Sequence, residues 1–232
     1  MTGPVVPSGI LRGFDMSIWA KVPDWNILTR GSDAHFGFIE VAHGIESGKS
    51  FAETRRTRQS SITCGPFQRL FSTATGLEQV RVFIDAFQDL TLPQSGLPPV
   101  LDVEYDNGGL QGQKMKPAEY LVQMNAWISA IEARFKRRPL IYTNAPFWRE
   151  YLDCPIDYGR FPLWIANYSD PTPDIPAPWA SYTFWQYASG ATLAGCPKPI
   201  DLDCFAGHDE DPATRRCGLN PEVSSLKEGC KP

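Results

Sequence analysis

Apolar stretches bounded by turn-forming residues recur at eight places along the chain: 11–16 (LRGFDM), 36–42 (FGFIEVA), 62–69 (ITCGPFQR), 99–104 (PVLDVE), 139–143 (PLIYT), 162–166 (PLWIA), 182–187 (YTFWQY) and 200–205 (IDLDCF). Their length and their β-branched and aromatic content predict strands. Helical spacing appears between the early runs, over 51–59, 76–90 and 117–137. In the last of these, Tyr120, Met124, Trp127, Ile128 and Ile131 recur at three- and four-residue steps and predict one buried face. Pro117 suits its first turn. Strands alternating with helices imply a parallel sheet with crossover helices.

After Cys154 the helical pattern stops. Residues 168–181 carry Pro171, Pro173, Pro176 and Pro178, which exclude a helix interior. The expected fold is therefore α/β: an irregular TIM-like (β/α) barrel of eight strands, with helices mainly between the first five. One domain is expected over 1–208. Residues 209–232 read as a polar tail that a Cys217–Cys230 loop could pin.

Candidate chemistry lies at the strand ends. In PPVLDVEYDNG, Asp102 and Glu104 share one face of a strand, with backbones roughly 6–7 Å apart, while Leu101 and Val103 face the other way. An isolated pair of this kind is often only a solvated strand end. Here it precedes the loop-forming Asp106, Asn107, Gly108 and Gly109, and catalytic groups of α/β barrels sit at the carboxyl ends of strands. Asp15 in the first run, and Asp201 and Asp203 in the last, occupy similar places. If the barrel closes, strands one and eight are neighbours and all these acids meet at one mouth. Mutual repulsion then raises at least one carboxyl pKa, as a general acid requires.

Clustered carboxylates also bind metals. The histidines, His35, His43 and His208, have no ligand spacing; His35 and His208 read as loop residues and His43 as a strand end. No GxSxG elbow follows a strand. The reading is no metal and no cofactor. Trp19, Phe67, Tyr142, Trp148, Trp164, Tyr168, Trp185 and Tyr187 stand near the same strand ends, several beside amides such as Gln186. Barrel aromatics are more often core than ligand contacts. Rings with nearby amides nevertheless suit sugars, and with the acids they point to glycoside hydrolysis.

The 232 residues carry 22 basic and 26 acidic side chains, a net charge of −4, so there is no positive excess for a nucleic-acid partner. Arg55, Arg56 and Arg58 read as a solvated helix face. No apolar window reaches the ~18 residues of a membrane span, and the first twenty residues do not have the pattern of a secretory signal. The six cysteines include no CxxC pair and predict one or more disulfides in an oxidising place of work.

With GFDMSIW, PPVLDVE, RPLIYTNAPFW, FPLWIANY, YTFWQYASG and PIDLDCF in this order over residues 13 to 205, the chain resembles the lysozymes of glycoside hydrolase family 25. The resemblance implies a β/α barrel with helices among the early strands and cleavage of the β-1,4 bond between N-acetylmuramic acid and N-acetylglucosamine in peptidoglycan. It makes Glu104 the proton donor and gives Asp102 the stabilisation of the positive centre or of an oxazolinium. Asp15 and Asp201 complete the acidic cluster. Phe67, Tyr142, Trp164, Tyr168 and Gln186 are the expected substrate contacts. The implied partner is a peptidoglycan glycan strand, met by a monomer outside the cytoplasm.

Three departures stand out. Phe67–Gln68 replaces a frequent Tyr-His pair, Glu40 replaces a basic residue, and Asp203 replaces a frequent Asn. They leave two alternatives open, a non-catalytic peptidoglycan-binding barrel and a glycosidase of altered cell-wall specificity.

Overall fold

Capping residues set the helix starts. Asp24 accepts from the backbone N–H groups of Asn26 (3.0 Å) and Ile27 (3.1 Å) and opens α1 (Trp25–Gly31). Thr75 and Glu78 form a reciprocal capping box at the head of α2 (Gly76–Asp85). α3 (Pro117–Phe135) begins on Pro117, with the Glu119 carboxylate accepting from the Lys116 N–H at 3.0 Å. In α3 the five residues of the predicted face are all buried.

The computed structural model describes residues 3–6, 10–21, 23–48, 62–86 and 96–206. The strands are β1 (Leu11–Met16), β2 (Ala34–His43), the two-residue β3 (Glu46–Ser47), β4 (Thr63–Arg69), β5 (Val100–Asp102), β6 (Leu140–Asn144), β7 (Leu163–Ala166), β8 (Phe184–Ala191) and β9 (Ile200–Phe205). Their order is β1-β9-β8-β7-β6-β5-β4-β2-β3, and the β1–β2 pairing closes eight of them into a barrel. Each of the eight sequence runs supplies one barrel strand.

Pairings from β1 through β2 and β4 to β8 are parallel, as strand–helix alternation implies. β9 departs from that expectation and runs antiparallel to both β8 and β1. The connection between Ala191 and Ile200 contains no helix, and a short connection joins antiparallel strands only. α1 was not expected from periodicity, being too short to show it. His35, expected in a loop, lies in β2. The helix expected over 51–59 with its Arg55, Arg56 and Arg58, the far end of the 76–90 helix, His208 and the 209–232 tail lie outside the described residues. Among the described residues no helix is long and apolar enough to cross a membrane.

Period-two alternation sorts the side chains into two layers. Phe36, Phe38, Phe67, Val100, Leu140, Tyr142, Trp164, Phe184 and Phe205 fill the barrel interior. Their alternates Leu101, Ile141, Ile165 and Trp185 face outward and pack with Val80 and Phe83 of α2 and the buried face of α3. The bulky interior needs a gap on β1: a Cβ on Gly13 would lie 2.4 Å from the Phe36 ring. Gln68 faces the outer layer, fully buried. It donates to the carbonyls of Gly44 (2.7 Å) and Gln79 (2.8 Å) and accepts from the Trp127 indole at 2.7 Å, which ties α3 and α2 to β4.

Among the described residues Cys64, Cys154, Cys196 and Cys204 form no disulfide with one another, and Cys217 and Cys230, which the expected tail loop would join, lie outside them. Each of the four sits against apolar surroundings. Burial pushes the thiols of Cys196 and Cys204 up to about 11 and about 12, disfavouring the thiolate through which disulfides form.

Candidate active site

The carboxyl ends of the seven parallel strands, with the amino end of the antiparallel β9, surround a cleft of about 330 Å³ lined by Asp15, Glu40, Asp102, Glu104, Asp201, Arg69, His43, the aromatics Trp19, Phe67, Tyr142 and Trp164, and by Ser17, Asn107 and Gln186. Register explains the convergence. Asp15 of β1 pairs with Asp201 of β9, Arg69 of β4 with Asp102 of β5, Asp102 with Tyr142 of β6, and Tyr142 with Trp164 of β7. Asp102 is the last residue of β5, and Glu104 follows two positions later on the same side. Val103 between them is buried in the outer layer.

The two acids differ in exposure. The Glu104 side chain is 27% exposed and reaches Arg69 at 3.3 Å, whereas Asp102 is 5% exposed and its Oδ1 has no hydrogen-bond partner among the described residues. Burial raises the pKa of both. In Asp102 the Glu104 charge adds to the rise and Arg69 opposes it. In Glu104 Arg69 opposes and the Glu40 charge adds, with a net rise.

Gln186 organises the opposite side. Its amide nitrogen donates to Asp15 Oδ2 at 2.5 Å and to Asp201 Oδ2 at 3.5 Å, and its carbonyl oxygen accepts from the hydroxyls of Tyr142 (2.8 Å) and Tyr168 (2.5 Å). Burial, followed by the Asp201 charge, pushes the Asp15 carboxyl up to about 8. Asp203 is wholly buried behind it and accepts from the Trp164 indole at 2.8 Å. Burial and the Asp15 charge raise its pKa as well.

Asp15, Asp102, Glu104, Asp201, Phe67, Tyr142, Trp164 and Gln186, all expected at the site, meet there. Tyr168 joins through Gln186 and is 43% exposed. Phe67, Tyr142 and Trp164 are each less than a tenth exposed, so they form the floor of the cleft rather than open walls. Three other strand-end aromatics do not belong to the cleft. Trp148 and Trp185 are core residues of the outer layer, and Tyr187 packs against that layer. Phe184 and Gln186 point inward, which sends Trp185 and Tyr187 to the other face.

Two residues gain importance that the motifs did not assign. Arg69 carries the formal positive charge beside Glu104; its signal was its place at the end of a strand, two positions after the inward Phe67. Glu40 is buried and doubly engaged, accepting from the Ile18 N–H at 2.9 Å and contacting His43 Nδ1 at 2.6 Å.

A sequence model of the glycosyl hydrolases family 25 matches residues 14–196, most of the chain. The chain belongs to this family. It is a glycoside hydrolase on that ground. Lysozyme M1 of Streptomyces globisporus is 25% identical over 216 residues, covering 88% of this chain and 70% of its own length. An uncharacterised protein of Escherichia coli O6:H1, YegX, is 24% identical over 207 residues, covering 87% and 71%. Among solved structures, a bacterial lysozyme from Streptomyces coelicolor superposes with a TM-score of 0.81 at 20% identity, covering 92% of this chain and all of the other, and shares the fold. The family 25 barrel and the cleft at its strand ends thus coincide in one chain.

Proposed function

We propose that this family 25 hydrolase is a muramidase that cleaves the β-1,4 bond between N-acetylmuramic acid and N-acetylglucosamine in peptidoglycan. The observation that carries the reading is the Asp102–Glu104 pair at the carboxyl end of β5, one member reachable by substrate and the other buried beside it. Glu104, with its raised pKa, donates a proton to the leaving oxygen. Its new negative charge is then met by Arg69 at 3.3 Å, which lowers the cost of giving the proton up. Asp102 supports the positive charge that develops at the anomeric carbon, or the oxazolinium formed by the substrate's acetamido group.

Asp15, Asp201 and Gln186 present donors and acceptors to the sugar's hydroxyl and acetamido groups, over a floor of Phe67, Tyr142 and Trp164, with Tyr168 at the edge. The name of the lysozyme relative supports the substrate. A non-catalytic barrel has less in its favour, because Gln68 faces away from the cleft and Glu40 is held by Ile18 and His43. Peptidoglycan lies outside the cytoplasmic membrane, so the enzyme acts there.

The test is digestion of purified peptidoglycan, reduction of the products with borohydride, and mass spectrometry. Soluble fragments ending in reduced muramic acid are expected. Fragments ending in reduced glucosamine, or no solubilisation, would overturn the proposal.

A further inference from the structure

Nearly all the aromatic surface of the cleft is buried in its floor. Among the described residues that line it, Trp19 is the exception and remains 67% exposed. A lone exposed tryptophan is unremarkable on a surface. Trp19, however, is held in place from several sides. It sits in a turn closed by the Ala20 N–H to Ser17 carbonyl bond at 3.0 Å. Its neighbour Ile18 is anchored on two sides, by its N–H to the buried Glu40 carboxylate at 2.9 Å and by its side chain over Gly48, where a Cβ would lie 2.6 Å from Ile18 Cγ2. The other Glu40 oxygen holds His43 at 2.6 Å. The His43 ring stands edge-on to Trp19, with centroids 6.2 Å apart and planes at 76°, and is backed by Phe71 at 4.6 Å.

A buried carboxylate thus fixes both the turn that carries the indole and the ring that braces its edge, while the indole stays open to solvent. We propose that Trp19 is a stacking platform for a sugar ring lying beyond the reacting pair, and that Glu40 and His43 are positioning residues for it. Indole faces suit the apolar face of an N-acetylhexosamine. Position supports an outlying sugar. Trp19 follows β1 and Glu104 follows β5, with β2 and β4 between those strands round the barrel, so the indole stands to one side of the reacting pair. The inference rests on the muramidase reading, and it adds that long glycan strands are preferred over short ones.

Binding tests this without turnover. Glycan fragments of two and six sugars, prepared from peptidoglycan, are titrated calorimetrically into Glu104→Gln protein and into the same protein also carrying Trp19→Ala, Trp19→Phe or Glu40→Gln. Trp19→Ala is expected to weaken six-sugar binding roughly 3- to 10-fold, the value of one ring stack, and to leave two-sugar binding unchanged. Trp19→Phe should recover part of the loss, and Glu40→Gln should show the same dependence on chain length. Equal weakening at both lengths, or unchanged six-sugar binding in Trp19→Ala, overturns the proposal while the muramidase reading stands. Should Glu40→Gln fail to fold, the two Trp19 variants still decide. Absence of binding at either length by Glu104→Gln protein overturns the muramidase reading and this proposal together.

Discussion

Glu104→Gln is expected to fold like the parent and to lose about 10²- to 10⁴-fold in kcat on peptidoglycan, the usual contribution of a positioned general acid. Glutamine keeps the shape of the side chain and can still accept from Arg69, but it has no proton to give. Because glutamine fits the same partly exposed place beside Arg69 and removes no packing, melting temperature should not fall. Loss of rate without a fall in melting temperature separates a chemical role from a structural one. A variant that releases soluble fragments as fast as the parent would remove Glu104 from the mechanism.

The largest effect on stability is expected at Asp15, and its sign follows from linkage. Folding pushes the carboxyl up to about 8 from the 3.8 it has when its burial is lost. Between those values the folded state keeps a proton that the unfolded state has released. Its stabilising contribution is therefore complete below the unfolded pKa and is lost as pH rises through the folded one. Asp102, Asp201 and Asp203 are also shifted upward and pull in the same direction. The parent should melt at progressively lower temperature from pH 5 to pH 9. Asp15→Asn cannot ionise, and its amide oxygen can still accept from Gln186. It should flatten that decline and be more stable than the parent above neutral pH, by on the order of a few kcal/mol. Calorimetric melting across this pH range checks it. A parent whose melting temperature climbs from pH 5 to pH 9 would contradict the assignment.

The barrel strands were legible in the sequence because each carries a short apolar run between turn residues, and period two then placed Asp102 with Glu104 and sent Leu101 and Val103 the other way. The direction of β9 was less legible, since direction depends on the connection before it rather than on IDLDCF itself. α1 is too short for a periodic signal and is marked mainly by its cap, Asp24. Arg69 carries no motif signal, since a single arginine at a strand end looks like a solvated charge; only the register with Asp102 makes it part of the site. Trp148 and Trp185 show the opposite failure, where residue type suggested a sugar contact and the facing direction made core. Glu40, which stood out as a change of charge, acquires a role only through the folded turn that it holds.

In the proposed mechanism Glu104 remains protonated where an ordinary glutamate would not, and so acts as the acid. Carbon-detected NMR titration of the Glu104 carboxyl, set beside the pH profile of kcat/KM, tests this most directly. A Glu104 midpoint above the ordinary 4.5 is expected, with activity falling on the alkaline side as pH rises through that midpoint. A Glu104 that titrates at or below 4.5 while full activity persists at higher pH would contradict it.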